Sequence, residues 1–127
     1  MEIRDAVESD AGRLAELTDA PADVMRNLVH DRTVRVGEED DDIVGFVSYD
    51  AREKTVHVTQ IEGTPEVCNR LLDEPVRFAR GEGMAVELLV PEPDEDAQTA
   101  ADSAGFDRVG SGPRFDGTPT VKYRLEG

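Results

Sequence analysis

At 127 residues, 38% of them apolar, the chain can bury roughly two-thirds of its unfolded surface around one core, and it is read as a single domain over residues 1–127. Its 29 Asp and Glu against 14 Lys and Arg leave a net charge of −15. A surface of that sign turns away nucleic acid and anionic membrane, whose phosphates need clustered Lys and Arg.

The longest apolar run, Ile43–Val47, is strand-sized and falls well short of the ~20 residues of a membrane span. One cysteine, Cys68, allows neither an internal disulfide nor a metal-ligand spacing, so no metal is expected. The acid is dispersed apart from the run Glu38–Asp42, and the only lysines are Lys54 and Lys122. Such a composition resembles the cytosolic proteins of salt-accumulating halophiles; an acidic face that recruits a basic partner is the alternative. The N-terminus, MEIRDAVESD, lacks the basic-then-apolar order of a signal peptide, so a cytoplasmic location is expected.

In chain order, Met1–Val7 alternates and reads as a strand. Ser9 or Asp10 then caps a helix with Ala11, Leu14, Ala15 and Leu17 at helical spacing. Pro21 opens a second helix whose buried stripe is Val24, Met25, Leu28 and Val29. Strands follow at Thr33–Gly37, Ile43–Asp50 and Thr55–Ile61, joined by turns at Glu38–Asp42 and Asp50–Lys54 that are too short for anything but antiparallel pairing.

A third helix runs from Pro65 to about Arg80 with Val67, Leu71, Leu72, Phe78 and Ala79 as its apolar positions. Pro75 is expected to kink or split it. Met84–Glu92, apolar at nearly every position, reads as a central strand covered on both faces. Asp94–Ala104 is a helix closed by Gly105, and Phe106–Gly110 and Thr120–Glu126 are closing strands. The order β-α-α-β-β-β-α-β-α-β-β predicts an α+β fold: a mixed, mostly antiparallel sheet of about seven strands flanked by about four helices.

The segment AVELLVPEPDEDAQTAADSAGFDRVG (Ala85–Gly110) has an apolar strand, Val-Pro, a short helix, then Ala104-Gly105-Phe106 and a strand ending in Gly. Together with the opening Glu2-Ile3-Arg4-Asp5-Ala6 and Ser9-Asp10, and with the element order, it resembles the GNAT acetyltransferases. The resemblance covers the whole chain in layout and is strongest at Ile3–Asp10 and Ala85–Gly110. It implies a V-shaped gap between Thr55–Ile61 and Ala85–Val90 that takes acetyl-CoA, with the pyrophosphate over the start of the next helix. Mapped onto this chain, it places the cofactor against Ile61, Gly63, Thr64, Val67, Cys68 and Asn69.

The family's loop reads Gln/Arg-x-x-Gly-x-Gly/Ala, and counting back from Leu71-Leu72 puts it on Gly63-Thr64-Pro65-Glu66-Val67-Cys68. All three signature positions differ, with Gly63, Glu66 and Cys68 standing there. Pro65 removes an amide that could cradle phosphate, and side chains at Glu66 and Cys68 are expected to crowd its approach. Without a ligand, the same residues make an ordinary helix start: Thr64 as N-cap, Pro65 at the first position, Glu66 favouring the dipole.

Acetyl transfer to an amine needs a base for the amine and a proton for the leaving thiolate. The resemblance puts the usual acid, a Tyr, at Ala101, leaving Tyr49 and Tyr123 as strand aromatics expected to be packed. The candidate bases are His57, with an ordinary pKa near 6.5, Glu62 at the strand end, and Glu87, a carboxylate in an apolar strand that must find a partner or a pocket. Cys68 is expected to be a small buried residue rather than a nucleophile. His30 complements a helix end. The loop Ser111–Pro119, with Arg114 and Phe115 at its tip, suits gating an acceptor site, a dimer contact or a plain hairpin.

Two readings stand at this point. One is an N-acyltransferase carrying an acetyl group from acetyl-CoA to a small or peptidyl amine. The other is a fold of the same kind without the reaction, serving as a binding or regulatory module, with homodimer formation open in either case.

Overall fold

The computed structural model describes residues 1–114 and 117–126; Phe115, expected at a loop tip, lies outside them. The elements are β1 (Glu2–Asp5), α1 (Ala11–Thr18), α2 (Ala22–Asp31), β2 (Thr33–Glu39), β3 (Asp42–Arg52), β4 (Thr55–Glu62), α3 (Pro65–Glu82), β5 (Ala85–Pro91), α4 (Glu95–Ser103), β6 (Asp107–Ser111) and β7 (Thr120–Leu125). The strands form one seven-stranded sheet in the order β1-β2-β3-β4-β5-β7-β6. Every neighbouring pair is antiparallel except β4 with β5. The expected α+β layout is the one observed.

The β2–β3 and β3–β4 connections are tighter than their acidic and charged runs suggested. Only Asp40–Asp41 and Glu53–Lys54 leave the ladder, all four at positive φ between 50° and 65°. Two residues at positive φ match the right-handed twist of the flanking strands, so pairing runs right up to each turn, from Glu39↔Asp42 and from Arg52↔Thr55.

Two apolar layers sandwich the sheet. One joins α3 and α4 to Val47, Val56, Val58, Val86, Leu88, Val90, Val121 and Tyr123; the other lies under α1 and α2 against Val34, Val36, Ile43 and Phe46. Helix α3 buries Cys68, Leu71, Leu72, Pro75, Val76 and Ala79, a stripe at helical spacing. It runs unbroken through Pro75 rather than splitting there. An interior proline costs about 3 kcal/mol, whereas burying Leu71, Leu72 and Val76 returns ~1.5–3 kcal/mol each, so packing wins.

Three local expectations change. Asp10 does not cap α1: Glu8–Asp10 forms a 3-10 turn, and the Asp10 carboxylate accepts from the Val7 amide at 2.8 Å and from Arg4. Val24 is 51% exposed, because α2 presents only Met25 fully to the core. Phe78 is 44% exposed and leans on the Tyr49 ring, with centroids 6.3 Å apart.

Candidate functional site

Strands β4 and β5 begin as partners and then part. Their ladder holds from Thr55↔Ala85 to Val58↔Leu88, yet β4 continues to Glu62 and β5 to Pro91. The cause sits on the other edge of β4. Ser48 faces Gln60 while Tyr49 faces Val58, so Thr59 is an extra residue, a bulge that bends β4. The Thr59 hydroxyl fastens it, bonding to Ser48 Oγ at 2.7 Å and donating to the Ser48 carbonyl at 3.2 Å. The expected V-shaped gap is therefore present.

A cleft of about 570 Å³ fills that gap, within the range of small-molecule sites. His57, Ile61, Glu62, Glu87, Leu89, Asp94, Pro113 and Lys122 are among its lining residues. Of the residues proposed from sequence, His57, Ile61, Glu62 and Glu87 line it; Gly63, Thr64, Val67, Cys68 and Asn69 do not.

The three candidate bases sit in different electrostatic settings. Glu87 is paired with Arg124, its neighbour across β7, and lies 3.8 Å from His57 Nδ1, its neighbour across β4. The carboxylate in an apolar strand has thus found its partner, and its charge is spoken for. Glu62, at the open end of β4, has no side-chain hydrogen bond or ion pair among the described residues. Burial, and secondarily the negative charge of Asp94, push its carboxyl up to about 7. A half-buried acid with that affinity for protons can exchange one near neutral pH.

Sequence reasoning missed two supports of this corner. Gly45 on β3 lies so close to the β4–α3 junction that a Cβ there would be 2.4 Å from the Glu62 carbonyl and 2.6 Å from Val67 Cγ1. Gly63, at φ 141°, leaves room for the same valine. Val67 is thus a wedge locking the corner. The other support, Asp94, caps α4 by accepting from the Ala97 amide at 3.1 Å while facing the cleft; its capping role is legible in sequence, its proximity to Glu62 is not.

At the start of α3 little is left to bind an anion. Pro65 has no N–H, the Val67 amide donates to Thr64 Oγ1 at 3.3 Å, and the Cys68 amide donates to the Thr64 carbonyl at 2.8 Å. Of the four donors such a helix start leaves outside its own ladder, Thr64 to Val67, the Thr64 and Glu66 amides have no partner among the described residues. The Cys68 side chain does not crowd this place as expected. It is 1% exposed, points beneath the loop and donates its thiol hydrogen to the Gly63 carbonyl. With no N–H at Pro65, the Val67 amide held by Thr64 and a carboxylate at Glu66, the helix start is a poor fit for a nucleotide diphosphate.

Burial pushes the Cys68 thiol up to about 12, with the charges of Asp94, Glu62 and Asp96 adding to it. A thiolate is the reactive form, so the native protein at pH 8 is expected to resist iodoacetamide for hours and to react promptly once unfolded in guanidinium. Rapid alkylation of the folded chain, read by mass spectrometry, would contradict that burial. Tyr49 and Tyr123 are packed, and Ala101, fully buried, accepts the Phe106 amide where an acid was sought. Among the described residues no group of three or more His, Cys, Asp or Glu is arranged to hold a metal, and no helix is long and apolar enough to cross a membrane.

No protein-family model matches the sequence, and neither does any curated protein. Solved structures do match. An N-acetyltransferase from Staphylococcus aureus Mu50 superposes with a TM-score of 0.81 at 16% identity, over 98% of this chain and 97% of that one. A GNAT-family protein from Desulfovibrio desulfuricans gives 0.74 at 26% identity over 98% of both chains. The structure of yncA from Salmonella typhimurium with its cofactor acetyl-CoA gives 0.78 at 18% identity, over 99% of this chain and 93% of that one. The fold is that of the GNAT acetyltransferases.

Proposed function

We propose that the protein is an N-acyltransferase that moves an acyl group, acetyl in the simplest case, from a thioester to a small or peptidyl amine. Glu62 carries the reading. It is a half-buried carboxylate lining the cleft, with no side-chain partner among the described residues and a proton affinity matched to neutral pH. As carboxylate it takes the proton of the incoming ammonium. The free amine then attacks the thioester carbonyl, the C–N bond forms, the C–S bond breaks, and the thiol leaves with one of the two protons still on the nitrogen, the amide keeping the other. With Ala101 at the place of the usual acid, that last proton passes directly or through water. The likeness of fold to an N-acetyltransferase and to yncA with acetyl-CoA supports the reaction class; the acceptor is open.

The test follows thiol release from an acetyl thioester in concentrated KCl against a panel of amines. Amine-dependent release is expected, with kcat/KM rising about tenfold per pH unit below pH 7 and levelling above it, as for a base that must be ionised. The capped start of α3 favours a second reading, a binding module without turnover. Saturable thioester binding with no release to any amine would decide for it.

A further inference from the structure

Resting on the acyltransferase reading, the geometry points to a cleft that takes its donor by the pantetheine arm alone. The diphosphate and ribose phosphate of a CoA thioester then add nothing to binding, so a nucleotide-free acyl-pantetheine is held as well as acetyl-CoA.

The arm has a place to lie. Beyond Val58, the cleft-side edge of β4 has no strand partner from Thr59 to Glu62. Four residues of open edge offer about 13 Å of backbone donors and acceptors, and pantetheine is an extended chain with two amides that can pair with them as an added strand does. Leu89, Ile61 and Ala97 supply apolar walls.

The phosphates have no such place. Backbone amides at a helix start hold an anion by converging on it, and here Pro65 lacks one and the Thr64 hydroxyl accepts that of Val67, which leaves only the Thr64 and Glu66 amides without a partner among the described residues, one on either side of the gap at Pro65. Glu66 sets a carboxylate in that first turn, and Glu95 and Asp96 do the same on α4. The Asn69 side chain donates to the Ala100 carbonyl at 3.5 Å, tying α3 to α4 just beyond the cap. Arg70 is the one cation in the first two turns of α3, exposed and past the amides. Concentrated salt would screen the carboxylates, since the Debye length is ~3 Å at 1 M, but would not return the missing amides.

Calorimetric titration of the whole chain with acetyl-CoA and with S-acetyl-pantetheine in concentrated KCl tests this. Dissociation constants within about threefold of each other are expected. Acetyl-CoA binding about tenfold tighter or more, a 1.4 kcal/mol preference, would overturn the inference and leave the acyltransferase reading standing. Failure of both to bind at millimolar concentration would remove both. The double substitution Pro65→Ala, Glu66→Gly frees an amide and removes a charge. It is expected to gain about tenfold for acetyl-CoA and nothing for S-acetyl-pantetheine, and no gain in a variant that melts like wild type would refute the stated cause. Arg70→Ala is expected to leave both constants unchanged; a selective loss of acetyl-CoA would show a phosphate contact and refute the inference.

Discussion

Glu62→Gln is expected to slow acyl transfer by roughly 10²–10³-fold and at the same time to make the protein more stable at pH 8. The first effect is loss of a base; glutamine keeps the shape and hydrogen-bonding reach but takes no proton, so the pH dependence below 7 should vanish with the rate. The second follows from the same burial. In the folded chain the Glu62 carboxyl sits at about 7 against an ordinary 4.5, so the folded state holds its proton more tightly than the unfolded one. Its contribution to stability is complete below about 4.5 and is lost as pH rises through about 7. Wild type at pH 8 therefore carries an ionised carboxylate that the site solvates poorly. The shift corresponds to roughly 3 kcal/mol, reduced to on the order of 1–2 kcal/mol by the group's partial contact with water. Thermal melts at pH 8 and pH 4.5 measure it: the variant should gain several degrees at pH 8 and little at pH 4.5. An equal gain at both pH values would mean that burial of charge is not what tunes Glu62.

Gly45→Ala should be the most damaging glycine-to-alanine change among the described residues. The added carbon would stand 2.4 Å from the backbone carbonyl of Glu62 and 2.6 Å from Val67. A backbone atom cannot swing aside as a side-chain end can, so β3 and β4 must separate or the β4–α3 corner must move. Overpacking of this kind costs typically 1–3 kcal/mol, which lowers the melting temperature by on the order of 10 °C in a chain of this size. Because the displaced atoms belong to Glu62 and its wedge, turnover by the folded fraction should fall as well. Gly12→Ala is the control. Nothing lies within 4 Å of a Cβ at that position, and within α1 alanine should stabilise by about 0.5–1 kcal/mol. Urea titrations of the two variants decide the matter; equal midpoints for Gly45→Ala and wild type would refute the packing account.

The strands and helices were largely legible because each is signalled by neighbours in sequence. Val86, Leu88 and Val90 announce a covered strand, and Thr64-Pro65-Glu66 announces a helix start that the structure reproduces down to the Thr64 hydroxyl on the Val67 amide. The gap between β4 and β5 came from the family resemblance, and its cause, the Thr59 bulge against Ser48, has no mark in the local pattern.

What could not be read depends on distant residues meeting. The standing of Glu62 among three candidates rests on Arg124 reaching Glu87 and on Asp94 arriving from α4. Gly45 looks like any glycine in a strand until Val67 is seen against it. Val24 and Phe78 keep perfect apolar spacing yet face water, since periodicity reports which face of a helix is apolar and not how much of that face another element covers. Cys68 is buried as expected, and only the crowding expected of it failed, for a related reason: a side chain one turn into a helix points where the helix is rolled, and α3 is rolled by Leu71 and Leu72 toward the sheet.

The four residue pairs that join β4 to β5 have a consequence for how the sheet opens. On one side stand β1 to β4 and on the other β5 to β7, each group built from antiparallel neighbours; β2 to β4 and β6 with β7 follow one another in sequence, while β1–β2 and β5–β7 pair across longer spans. Among the described residues, the short parallel ladder Thr55↔Ala85 to Val58↔Leu88 is the sheet's only link between them, with α3 lying between its two strands in sequence. A parallel ladder is slightly less stable per residue than an antiparallel one, and this one holds for only four pairs, so it is expected to open readily in the native ensemble. The cleft then lies along a line where the sheet opens readily, and a donor laid against β4 would act as the missing rungs, slowing that opening.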